Sequence, residues 1–131
     1  MRQEVRTEFA EREGTRIAYR VFGTGSRDLV IVPGIISHVE YAHELPGYDE
    51  FIDYVAPHFR VIIFDKRGNG LSQKIGDLPP TLEQRMDDIR FVMDAANSKQ
   101  ATIMGVSEGG SLSALFAAMY PDRTERLILF G

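Results

Sequence analysis

Ser107 sits in Gly105-Val106-Ser107-Glu108-Gly109, a serine held between two glycines in the pattern G-x-S-x-G. A hydroxyl in that setting suits acyl transfer: a sharp strand-to-helix turn lifts it clear, and an adjacent base activates it. The flanking residues fit such a turn. Ala101-Thr102-Ile103-Met104 reads as a short buried strand, and the stretch from Gly110 to Met119 places Leu112, Leu115, Phe116 and Met119 at helical spacing. A Cβ at Gly105 or Gly109 is expected to collide with the neighbouring strand or helix, and the serine backbone to be strained. The helix start would aim free N–H groups and a positive dipole end at whatever lies beside the hydroxyl.

Composition bounds what can surround that turn. The chain has 131 residues, 44% hydrophobic and 26% charged, which suits one globular domain over residues 1–131 with a real core. Net charge is −4 with no basic cluster, which argues against a nucleic-acid partner. With no cysteine, disulfides and thiolate metal sites are excluded, and neither a metal nor a cofactor is expected. The charged start lacks a signal-peptide core, and the apolar run Leu29 to Ile36 is broken by Pro33-Gly34 and too short to span a bilayer. A cytoplasmic protein without membrane contact is the expectation.

The elements that must position the serine follow in order. Val5 to Glu11 and Thr15 to Phe22 alternate around Glu13-Gly14, predicting an antiparallel hairpin with one wet face. Gly23-Thr24-Gly25-Ser26 is a turn, and no helix follows it to make a phosphate loop. Leu29 to Val32 and Arg60 to Phe64 read as buried strands. Tyr48 to Pro57 reads as a helix with Phe51, Ile52 and Val55 on one side. Thr81-x-x-Gln84 is a capping box opening a helix striped by Leu82, Met86, Ile89, Met93 and Ala96, with Asn97 as its stop. Arg126 to Phe130 is a last strand. Strands alternating with helices after the hairpin predict an α/β fold with a mostly parallel sheet and helices on both faces. The elbow, the Pro33-Gly34 loop and the Asp65 loop should then share the rim at the strands' carboxyl ends.

With these residues placed, the chain resembles the first half of an α/β-hydrolase, expected to stop after its sixth strand. The likeness rests on Pro33-Gly34-Ile35, on Asp65-Lys66-Arg67-Gly68-Asn69-Gly70-Leu71-Ser72 in the manner of D-x-R-G-x-G-x-S, and on Gly105 to Gly110. Asp65-Lys66-Arg67-Gly68, Met86-Asp87-Asp88-Ile89-Arg90 and Gly105 to Gly110 also resemble the hydrolase-like domains preceding bacterial class III adenylate/guanylate cyclases; no cyclase domain is present in this sequence. The resemblance implies Ser107 as nucleophile and the N–H groups of Glu108 and Ile35 as oxyanion donors, with Gly34 and His38 beside the ligand. Each such donor is worth roughly 3–4 kcal/mol in the transition state. Family members deliver an acid and a histidine after the elbow. Here no histidine follows Ser107, and the only acids after it are Glu108, Asp122 and Glu125.

Several residues admit a plainer role. Glu108 can steer a ligand, or simply be an acid welcomed by a helix dipole. His38 and His43 can approach Ser107 as a base or pocket wall, though loop histidines are more often surface residues; His58 is taken as structural. Asp65 and Arg67 are taken as turn-builders, Asp65 accepting backbone N–H groups and Arg67 tying down carbonyls. Asp87, Asp88 and Asp94, near Arg85 and Arg90, are taken as a solvated helix face. Three functions remain open: a serine hydrolase for esters, thioesters or amides, feeble without its base and acid; a non-catalytic ligand-sensing or interaction module of a cyclase-type protein; or a fragment that self-associates through its last strand or awaits a missing half.

Overall fold

The computed structural model describes residues 5–34, 36–76 and 79–131. Six strands make one sheet: β1 (Glu8–Arg12), β2 (Thr15–Phe22), β3 (Arg27–Val32), β4 (Phe59–Phe64), β5 (Ala101–Val106) and β6 (Thr124–Phe130). Their spatial order is β1-β2-β4-β3-β5-β6. The hairpin β1–β2 and the β2–β4 pair are antiparallel, whereas β4–β3, β3–β5 and β5–β6 are parallel. The hairpin turns at Glu13 and Gly14, both at positive φ (52° and 80°), the backbone twist that two-residue hairpins favour. Among the described residues three α-helices connect the rest: α1 (Tyr48–Val55), α2 (Leu82–Ala95) and α3 (Gly109–Met119).

The period of two along each strand splits the core into two layers. Ile17, Val30, Val32, Ile62, Phe64 and Ile103 face α2 and α3, meeting Met86, Ile89, Val92, Met93, Leu112 and Phe116. Ala18, Leu29, Val61 and Ile63 face the other way, against Ile52 of α1 and Val39. The continuous apolar runs of β3 and β4 are therefore those of strands covered on both sides. The hairpin differs from expectation in one respect. β2 pairs with β4 as well as β1, so Ile17, Ala18 and Tyr19 are all buried, and only the edge strand β1 keeps an exposed face.

Helix ends set the other differences. The capping box at Thr81 is present: the Gln84 N–H donates to Thr81 Oγ1 at 3.1 Å and the Thr81 N–H to Gln84 Oε1 at 2.8 Å. Asn97 follows α2 in the left-handed region at φ 60°. Leu82, however, sits in the first turn and is exposed, as are Met119 in the last turn of α3 and Phe51 on the outer side of α1. The apolar face of α2 is carried instead by Phe91 and Val92 together with Met86, Ile89 and Met93. β6 lies at the sheet edge with Leu127, Ile128, Leu129 and Phe130 exposed. Among the described residues no helix is long and apolar enough to cross a membrane.

Of the acids expected on a solvated face of α2, Asp94 is exposed, Asp87 is half-buried and Asp88 is buried. Asp88 is 3% exposed and takes both oxygens to Arg67, Nε at 2.7 Å and a terminal nitrogen at 2.8 Å. Arg67 thus ties the turn after β4 to α2 rather than to carbonyl groups. Burial pushes the Asp88 carboxyl up against the pull of Arg67, while the bond to Asp88 holds the Arg67 guanidinium more firmly charged. Asp87 joins Arg12 of β1, at 2.6 Å, to Arg90, at 2.7 Å. Asp94 pairs with Arg123.

Arg90's hydrogen bonds, opposed by partial burial and supported by Arg12, hold the Asp87 carboxyl below its ordinary value. A carboxyl depressed in the folded state adds stability above the unfolded value, near 4, and loses it as pH falls through the folded value. Urea unfolding is therefore expected to show wild type above Asp87→Asn at pH 7, with the gap closing below about pH 4. A gap that persists unchanged at pH 2 contradicts this.

Candidate active site

β5 and α3 meet in a turn that only a strained serine completes. Ser107 has φ 54°, in the left-handed region that a non-glycine residue rarely adopts, and is exposed. Its own N–H donates to the Phe130 carbonyl at 2.8 Å, and its carbonyl accepts from the Gly110 N–H at 3.0 Å. Those two bonds hold the residue as the last rung of the strand and the entry to the helix. The glycines around it have no room for a side chain. A Cβ on Gly105 would lie 2.6 Å from the Gly109 carbonyl oxygen and from Gly110 Cα, and one on Gly109 would lie 2.4 Å from the Val32 carbonyl oxygen. The start of α3 is therefore wedged between β5 and the end of β3. Buried Ser113 closes the wedge, its hydroxyl donating to the Gly109 carbonyl at 2.7 Å.

The three loops at the carboxyl ends of the strands come together here. A Cβ on Gly34 would stand 3.5 Å from Ser107 Cβ, so the loop after β3 runs directly past the nucleophile candidate. Ile35, the second expected oxyanion donor, lies outside the described residues. Glu108 is the N-cap of α3, where the first N–H groups have no partner within the helix and the dipole is positive. Asp65, fully buried, binds the loops after β3 and β4 to each other. It accepts from Ser37 Oγ at 2.7 Å, the Val39 N–H at 3.2 Å and the Leu71 N–H at 3.0 Å.

Sequence reasoning passed over Lys66. Its ammonium group ion-pairs with the Glu108 carboxylate, joining the turn after β4 to the elbow. Glu108 is thus more than an acid at a helix start. Lys66, first by hydrogen bonding and then by charge, holds its carboxyl below the usual value, and Arg85 adds to the effect. The signal was present: opposite charges at strand ends expected to share a rim. Beside this pair opens a cleft of about 270 Å³, walled by Phe64, Lys66, Arg67, Ile75, Arg85 and Glu108 among others.

The contacts of the histidines are with their own neighbours in the chain. His38 Nδ1 accepts from the Glu40 N–H at 3.3 Å, and its ring stacks on Tyr41 with centroids 4.4 Å apart. The His43 ring pairs with the Glu40 carbonyl at 2.7 Å, and His58 is exposed in the turn before β4. Among the described residues no side chain hydrogen-bonds to Ser107 Oγ. The arrangement supplies a presented hydroxyl and a helix N-terminus beside it.

Comparison with known proteins agrees with this geometry. The family model described as alpha/beta hydrolase fold matches residues 29–131. A proline iminopeptidase, PfmaB, of Pestalotiopsis fici is 34% identical over 130 residues, covering 95% of this chain and 43% of its own length. The serine hydrolase BPHL of Mus musculus is 25% identical over 122 residues, covering 90% and 40% respectively. The crystal structure of a hydrolase from Pseudomonas aeruginosa superposes with a TM-score of 0.73 at 29% identity, over 96% of this chain and 45% of that one. The chain thus spans about two-fifths of the length of the curated relatives it matches. None of the three is described as a cyclase or as joined to one, so the narrower likeness gains no support from them. On the family match and the sheet that carries the elbow, this chain belongs to the α/β-hydrolase fold family.

Proposed function

We propose that this chain carries the nucleophile half of a serine hydrolase that cleaves an ester, thioester or amide through an acyl-enzyme on Ser107 Oγ. The observation behind the reading is Ser107 itself: exposed, at φ 54°, between a parallel strand and a helix N-terminus. In the reaction Oγ attacks the carbonyl carbon, and the negative charge that develops on its oxygen falls beside the Glu108 N–H and the loop at Gly34. The proton acceptor and its orienting acid are supplied from the rest of the length that the relatives possess, and the same region covers the exposed edge of β6. Until they arrive the hydroxyl is a poor nucleophile at neutral pH.

Hydrolysis of p-nitrophenyl acetate tests the reading. A scaffold without its base retains only the contribution of oxyanion binding and positioning, far below a complete triad. The wild-type chain is expected to exceed Ser107→Ala by about tenfold or more at alkaline pH, where serine attack needs less help. Equal rates for the two would end it.

A further inference from the structure

We propose that the cleft beside the elbow is a seat for a carboxylate carried by the substrate, formed by Lys66 and Arg85, and that Glu108 fills the seat until the substrate displaces it. The word substrate rests on the reading of Ser107 as nucleophile; the seat rests on the cleft alone.

The two members of the Lys66–Glu108 pair are held very differently. The Lys66 side chain is 10% exposed, whereas that of Glu108 is 46% exposed. A cation at that depth requires an anionic partner, because its desolvation is offset only by pairing. Glu108 has no such need. It makes no side-chain cap on α3, so its tie to Lys66 is what its carboxylate gives up when another anion takes its place. The pair therefore has a fixed cation and a loose anion, the condition for exchange. A carboxylate is the natural replacement, since two planar oxygens are what Glu108 itself presents to Lys66.

Arg85 supplies the second contact. It reaches the same cleft from α2, and among the described residues its guanidinium makes no hydrogen bond or ion pair. Arg67 is different, being fully committed to Asp88. Among the described residues the charged groups of the cleft are Lys66, Arg67 and Arg85 against Asp88 and Glu108, a surplus of positive charge. Arg85 also attracts the Glu108 carboxyl, so its field already reaches the seat. Phe64 and Ile75 give the cleft apolar wall. Glu108 lines the cleft and Ser107 is the residue before it, so a substrate with its acyl carbon at Ser107 and a carboxylate in the seat would join the two by a short methylene chain. Esters of short dicarboxylic acids have that shape.

Calorimetry or amide chemical-shift titration with monomethyl glutarate, and with neutral dimethyl glutarate beside it, tests the seat. A site blocked most of the time by an internal competitor binds more weakly in proportion to the blocked fraction. Glu108→Gln is therefore expected to bind the monoester about tenfold tighter than wild type. Arg85→Gln, an exposed-side change that leaves the fold intact, is expected to bind it about tenfold more weakly. Neither should alter the diester. Unchanged or weaker monoester binding in Glu108→Gln overturns the proposal, as does equal binding of the two esters or equal competition by sulfate. The two readings separate cleanly. Reaction at Ser107 with no preference for the charged ester defeats the seat alone, and preference for the charged ester with no reaction at Ser107 defeats the hydrolase reading alone.

Discussion

Adding a single methyl group at Gly105 or Gly109 is expected to lower the unfolding free energy by about 3 kcal/mol or more. At Gly105 it meets the Gly109 carbonyl oxygen, Gly110 Cα and Ser113 Oγ, all within 2.7 Å. At Gly109 it meets the carbonyl oxygens of Val32 and Pro33 at 2.4 and 2.6 Å. These obstacles are mostly backbone of a central strand and a helix start, so neither can swing aside as a side chain would. Relief requires α3 to lift off the sheet, which would also withdraw its N-terminus from Ser107. Gly110→Ala is the matched control. Its Cβ finds only Leu129 Cδ2 at 3.6 Å, and alanine in a helix is favoured over glycine by up to about 1 kcal/mol. Denaturant unfolding of the three variants should rank Gly110→Ala at or above wild type and the other two far below. Similar stability for all three would mean that the wedge is not tight.

Arg67→Met is expected to cost about 3–5 kcal/mol, because it strands Asp88 without a partner in the interior. Asp88 is almost fully buried and both of its oxygens are engaged by Arg67. Breaking one side of a buried pair is worse than removing both. The double variant Arg67→Met with Asp88→Leu should recover most of the loss, and a double-mutant cycle measures the coupling. Single-variant stabilities within 1 kcal/mol of wild type would show that water reaches the pair. Since Arg67 also walls the cleft, the double variant tells whether the turn after β4 keeps its place without the ionic tie.

The pattern of what the sequence revealed follows from the range of the forces involved. The turn at Glu13-Gly14, the capping box at Thr81 and the stop at Asn97 are fixed by neighbouring residues, and each is visible in a short window. The elbow is legible for the same reason: its glycines, strand and helix are contiguous. Asp88 misled because a carboxylate on a helix looks like a solvent group unless its partner is known, and Arg67 reaches it from another element. The same is true of Lys66 and Glu108, which meet only because two parallel strands end at one rim. Leu82 and Met119 carry the right spacing but fall in terminal turns, where the sheet no longer lies beneath them. Periodicity gives a face; it does not say how far along the helix that face is covered.

We propose Ser107 Oγ as a nucleophile that lacks a proton acceptor among the described residues. The most direct test is the pH dependence of covalent labelling by a neutral fluorophosphonate, with the adduct mapped by mass spectrometry. One adduct is expected, on Ser107 and absent from Ser107→Ala, forming slowly at neutral pH and ever faster as pH rises. An adduct elsewhere, or a Ser107 rate that levels off with a midpoint near the ordinary histidine value of about 6.5, would contradict it.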